Sequence, residues 1–484
     1  MTVHAEPLSG RLLALMFAFL VAACGAEVAA AFDAPLVASQ SGTLLMLSDG
    51  PVEGQSRAHT RSFIGIPYAA PPVGALRWKP PQPVVPWSDV LEATGKGVTC
   101  PQAPDSGLNT GPQSEDCLQL NVFAPAEPPA TPLPVMVWLH GGANQIGSAN
   151  TFIDRTALLG GATQPLRLYD GAAFRDFAER EVVVVTVNYR LGALGFLSHP
   201  ALTAETGASG NYGLMDQQAA LRWVQRNIAA FGGDPQKVTL FGQAAGATDI
   251  CYQLLAEAAD GLFDAAALQS GSCGSMRLPA AREAEASGRD WAAALGCKGD
   301  SLACLRALTA EQIAQAPLAS RDELGALAVI DGHFLREQPA HALRDGRFHQ
   351  VPLIIGNDTS EAAANCAARE LATRVSRFTP VFLYSFARSA AYPELPAQFN
   401  ALPGLDELWI WNVFSRLSPY AADDTNLSLQ MRGYWTHLVD GDVNVAVQRW
   451  PRPEWPRYSR EQESELVIDL ALSVGEELRA ERCE

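Results

Sequence analysis

Five stretches of this chain are apolar with no polar alternation: PVMVWL (134–139), VVVVTV (182–187), VTLF (238–241), AAAL (265–268) and VPLII (351–355). Runs of that length are expected of strands covered on both faces. Between the second and third lies MDQQAALRWVQRNIAAF (215–231), where Leu221, Val224, Ile228 and Phe231 recur at helical spacing. A second helix is expected from Ala245 onward. Strands alternating with helices predict an α/β fold: a mostly parallel, doubly wound central sheet covered by helices. Residues 63–122, rich in Pro, Gly and short apolar runs, predict short strands and turns instead.

In such a sheet ligands sit beyond the carboxyl ends of the strands. Three loops fall there: HGGAN (140–144), GQAAG (242–246) and GNDTSE (356–361). One glycine loop needs no function, because glycine simply permits a tight turn. Three on one edge predict a site. The middle loop raises a chemical question. Folds that hydrolyse esters expose a serine at the centre of such a strand-to-helix turn, and here that residue is Ala244.

With 484 residues, 48% of them hydrophobic, the chain is long enough for a large core. It has no Gly/Ser tract, proline run, long charge block or internal repeat, so residues 32–484 are expected to form one domain. The formal charge of −17, from 52 acidic and 35 basic residues, argues against a nucleic-acid partner. Residues 1–31 read as an export leader: Arg11 precedes the apolar run LLALMFAFLVAA, too short to span a bilayer. Its end, VAAC, resembles a lipoprotein signal in which Cys24 would be lipidated; the rival is cleavage after Ala31. A lipid at Cys24 would be the one route to a membrane, and the expected location is the cell envelope, the periplasm or the medium. Setting Cys24 aside leaves eight cysteines, an even number suited to an oxidising compartment, whose pairing spacing alone does not decide.

The segments FIGIPYAAPPVGALRWKPPQPVVPW, SEDCLQLNVFAP, VMVWLHGG, VVVVTVNYRLGALGFL, GNYGLMDQQAALRWVQRNIAAFGGDPQKVTLFG, LFDAAALQSGS and GYWTHLVDGDVN follow one another along the chain. Together they resemble the type-B carboxylesterase and cholinesterase family, which implies the α/β-hydrolase fold. The resemblance implies disulfides Cys100–Cys117 and Cys297–Cys304, and leaves Cys251, Cys273, Cys366 and Cys483 unassigned. It also places a catalytic triad. The nucleophile falls on Ala244, whose methyl group cannot attack a carbonyl, and Gln243 stands where a glutamate is usual. The acid falls on Glu361. The histidine falls on Gly404 in LPGLDELWIWNVF, and no histidine lies between Glu361 and His437. The amides of Gly142, Ala143 and Ala245 take the oxyanion positions, with Ala143 and Asn144 replacing a glycine and an aromatic residue. Only 43 residues separate Glu361 from Gly404, fewer than in relatives, which implies a shallower pocket.

Loss of Ser or His from a triad costs about 10⁶ in kcat, and loss of both little more. Other candidates have competing structural roles: Thr248 and Asp249 lie on the helix beyond the turn, Cys251 and Cys366 suit disulfides, His140 suits loop packing and His437 a surface helix. The expectation is therefore an exported, catalytically inactive member of the family, needing no cofactor or metal, that binds a protein partner or a small ester-like or apolar ligand. The alternatives are a carboxylic ester hydrolase with a displaced nucleophile and a decaying remnant.

Overall fold

The computed structural model describes residues 42–103, 111–153, 165–174, 180–299, 301–316, 318, 327–359, 362–388, 406–413, 416, 422–445, 452–469 and 471–475. The 1–31 leader with Cys24, the acid position Glu361, the histidine position Gly404 and Cys483 lie outside the described residues.

The main sheet has eleven strands. In chain order they are β1 (Gln55–Arg57), β2 (Thr60–Pro67), β3 (Gln119–Pro125), β4 (Leu133–Leu139), β5 (Val183–Val187), β6 (Gly233–Gln243), β7 (Ala265–Gln269), β8 (Leu353–Asp358), β9 (Val381–Phe386), β10 (Glu465–Ile468) and β11 (Leu472–Gly475). Their spatial order is β11-β10-β9-β8-β7-β6-β4-β5-β3-β2-β1. Pairing from β5 through β4 to β10 is parallel, and antiparallel strands close both edges. The helices that matter for the site are α1 (Tyr212–Asn227), α2 (Ala245–Leu255), α3 (Ala362–Val375), α4 (Asp406–Ile410) and α5 (Ala422–His437).

The unbroken apolar runs are explained by burial on both faces. In β4, Val135, Val137 and Leu139 enter the core that holds Leu221, Trp223 and Val224 of α1 and Ile250 of α2. Met136 and Trp138, alternating with them, enter the opposite core with Trp409, Trp411 and Trp435. That second core is aromatic. Trp138 meets Tyr169, Phe241 and Trp411 at ring-centroid distances of 5.2, 4.8 and 5.4 Å, contacts that each contribute about 0.5–1.5 kcal/mol beyond burial.

The expected disulfides Cys100–Cys117 and Cys297–Cys304 are formed. Cys251 of α2 is joined to Cys273, beyond β7, a pairing the sequence left open. Cys366 is also disulfide-bonded. Two element assignments change. The run 181–192 is strand only over Val183–Val187, because the chain turns away to place Tyr189 beneath the loop that follows β4. The helix carrying His437 is not a surface helix: Met431, Tyr434, Trp435 and Thr436 are buried, and His437 is only 9% exposed.

Candidate functional site

β6 ends at Gln243 and α2 begins at Ala245, so Ala244 alone makes the turn between them. Its φ of 48° and ψ of −117° lie outside the regions open to a residue with a side chain. Such strain persists only where neighbours over-determine it. Here the Ala244 N–H donates to the Gln269 carbonyl at 2.9 Å, and its own carbonyl accepts from Thr248 N–H at 2.9 Å. The flanking glycines let helix and sheet close up: a Cβ on Gly246 would lie 2.2 Å from the Leu139 carbonyl oxygen, and one on Gly242 2.7 Å from the same atom. This is the sharp turn that hydrolases use to expose a nucleophile, and Ala244 is partly open to solvent.

The loop after β4 lies over this turn. A Cβ added to Gly141 would sit 3.4 Å from that of Ala244. The next three residues, Gly142, Ala143 and Asn144, all have positive φ, at 108°, 54° and 56°. The Gly142 carbonyl accepts from Gln145 and Ile146 N–H at 2.9 and 3.0 Å, closing the loop. Among the described residues, the amides of Gly142, Ala143 and Ala245 donate to no protein acceptor. The structure thus brings the nucleophile position and the three oxyanion positions together at the carboxyl end of the parallel strands.

Asn144, where the resemblance implies an aromatic residue, is drawn into the protein. Its side chain is buried, and Nδ2 donates to Asp249 Oδ1 at 2.8 Å. Asp249 Oδ2 accepts from Gln217 Nε2 at 2.6 Å, and Gln253 Nε2 donates to Gln217 Oε1 at 3.0 Å. Burial pushes the Asp249 carboxyl up to about 7, partly offset by the two amide donors. The sequence places Asp249 only on the helix beyond the turn; it is the post to which the loop is tied. Thr248 is likewise buried in the helix.

No imidazole among the described residues faces Ala244. The His140 ring is stacked on Tyr189 at 4.5 Å, its Nδ1 is 2.8 Å from the Gly141 carbonyl, and burial holds its pKa at about 4. His437 sits beside Arg180 and Asp440, and Asp440 also meets Lys237 at 3.5 Å. Lys237 precedes Ala244 by seven strand residues, roughly 23 Å, so His437 marks the opposite edge of the sheet.

Two acids went unnoticed in the sequence. Asp406 and Glu407 open α4, just past the Gly404 position. Asp406 Oδ2 accepts from Gln269 Nε2 at 3.3 Å and from the Tyr384 hydroxyl. Burial raises Asp406 to about 6, and burial together with Asp406 raises Glu407 to about 8. The available signal was a pair of adjacent carboxylates opening the apolar run LWIWNVF. No group of three or more His, Cys, Asp or Glu among the described residues could hold a metal ion.

The sheet order, the strained turn and the glycine loop over it define an α/β-hydrolase. The comparisons are narrower. The model of the carboxylesterase family matches residues 41–372, and the chain belongs to that family. It is 40% identical to a para-nitrobenzyl esterase of Bacillus subtilis over 90% of this chain and 96% of the relative. It is 36% identical to a fumonisin B1 esterase of Sphingopyxis macrogoltabida over 72% of this chain and 61% of that protein. The solved structure of a thermophilic PNB esterase superposes with a TM-score of 0.76 at 29% identity, covering 90% of this chain and 97% of that one.

Proposed function

We propose that this chain is a carboxylesterase-family protein that binds in the old active site and does not hydrolyse esters there. The observation that carries the reading is Ala244 at the apex of the turn. A methyl group has no electron pair to attack a carbonyl, and the imidazole that would take the proton has no counterpart among the described residues near it. Glu361 would be the surviving triad acid and Gly404 the vacated histidine position. Gly142, Ala143 and Ala245 would remain as hydrogen-bond donors for a carbonyl or carboxylate oxygen, which favours a small ester-like or apolar ligand. Their N–H groups need no particular side chain, so a binding pocket outlives the chemistry.

The test is hydrolysis of p-nitrophenyl butyrate by the pure protein. The expected rate equals buffer. Turnover well above buffer that survives cysteine blocking and disappears with one Ser or Thr substitution would replace this reading with a displaced nucleophile. The second reading has one point in its favour: a relative at 40% identity bears an esterase name.

Residues 32–484 are proposed as a single domain of an exported protein whose mature chain would begin at a lipidated Cys24. Fractionation checks this: Cys24→Ala protein should leave the membrane fraction. A native protein already wholly in the soluble fraction would sink the anchor.

A further inference from the structure

The loop that carries the oxyanion positions is tied to α2 by a carboxyl with no cation beside it. Asp249 is fully buried and is met by two neutral amides, Asn144 Nδ2 from the loop and Gln217 Nε2 from α1. Behind it stands Tyr189, whose hydroxyl donates to the His140 carbonyl at 2.6 Å, and the His140 ring is held neutral by burial. The nearby guanidinium of Arg190 is committed to Asp216 through two hydrogen bonds of 2.7 Å. Gln253 of α2 meets Gln217 rather than Asp249. Asn144 Oδ1 is buried and has no partner. That orphan acceptor matters. With Asp249 ionised, the Asn144 amide donates Nδ2 to it. With Asp249 protonated, turning the amide over lets the carboxyl O–H donate to Oδ1. Both protonation states are therefore hydrogen-bonded, with the loop in one place.

We propose that Asp249 is a positioning residue that couples anion binding in the oxyanion pocket to proton uptake, so that the carboxylate of a short apolar acid binds with partial protonation of Asp249. This rests on the binding function proposed above. Asp249 lies four residues beyond Ala245, about 6 Å along the helix axis. An ionised Asp249 at that range opposes an incoming carboxylate, weakening it on the order of tenfold. A neutral Asp249 does not. Burial, which favours the protonated form near neutrality, puts this exchange in an accessible range.

The experiment is calorimetric titration of the intact protein with octanoate and, separately, with 2-octanone, from pH 6 to 8.5 in two buffers of different ionisation heat. Octanoate affinity should rise about tenfold from pH 8.5 to 6, with uptake of roughly half a proton per ligand at pH 7. The ketone should bind independently of pH, and Asp249→Asn should bind octanoate without pH dependence. Ketone binding with no proton uptake on octanoate, or an Asn variant that keeps the dependence, overturns the coupling while leaving the binding function intact. If neither ligand binds, the binding function fails and the coupling with it. Should Asp249→Asn fail to fold, Asp249→Ser in the same titration decides, because Asp406 and Glu407 also titrate in this range.

Discussion

Ala244 holds a Cβ in a backbone conformation that costs roughly 1–3 kcal/mol. Glycine would relieve that strain and return about 0.5–1 kcal/mol to the unfolded chain. Ala244→Gly is therefore expected to raise stability by about 1 kcal/mol, read from the midpoint of denaturant unfolding; a clear loss would mean that the methyl group is packed rather than strained. The chemistry at the same position predicts another outcome. Ala244→Ser should stay inactive toward p-nitrophenyl butyrate, because no imidazole among the described residues faces the turn to accept its proton. Adding Gly404→His should recover a trace. Strong activity from the serine alone would reveal a base beside the turn. Position 244 was readable in the sequence because a G-x-x-x-G turn between a strand and a helix has one apex. Asp249 was not, since its role depends on Asn144, 105 residues earlier, and on Gln217, which only the packed helices bring together.

At the scale of elements, α2 is held to the sheet by contact and by covalent bond. Gly246 touches the backbone of β4 so closely that Gly246→Ala must push helix and strand apart. The expected loss is about 3 kcal/mol, and a near-neutral result would contradict the tight turn described here. The Cys251–Cys273 bridge closes 22 residues between α2 and the segment after β7. Its removal as the double serine variant should cost about 3 kcal/mol on chain-entropy grounds. An unchanged unfolding midpoint would mean that packing alone fixes that segment. The parallel strands were legible because burial on both faces leaves a continuous apolar run, as in Val182–Val187. The bounds were less so: Tyr189 reads as strand by composition, yet its ring is drawn under His140. The Cys251 pairing was illegible because spacing says nothing about which strand end α2 meets.

For the whole molecule, three carboxyls dominate the pH response, two of them buried and Glu407 partly so. Asp406, Asp249 and Glu407 are raised to about 6, 7 and 8 from ordinary values near 4. A raised acid holds its proton in the folded state after the unfolded chain has lost it, so the stability it contributes fades as pH rises toward its folded value. His140 and His437, both lowered to about 4, act oppositely, but mainly below their unfolded value of 6.5. Between pH 6.5 and 8.5 the acids outweigh the residual histidine contribution, and stability should fall by about 2 kcal/mol, mainly through Glu407 and Asp249. Denaturant unfolding at the two pH values checks this; equal stabilities would mean that water or a counter-charge already balances those carboxyls. The fold as a whole was legible from run length and order, because a sheet covered on both faces writes itself along the chain. The acids of α4 were hidden, their hydrogen-bond partners being Gln269, Tyr384 and Tyr169 on distant strands and loops.

The central claim is that no activated oxygen remains at the turn between β6 and α2. Intact-mass analysis of the native protein after exposure to excess fluorophosphonate tests it most directly. The account predicts an unchanged mass. A single stoichiometric adduct, mapped to a serine or threonine beside Ala244, would contradict it.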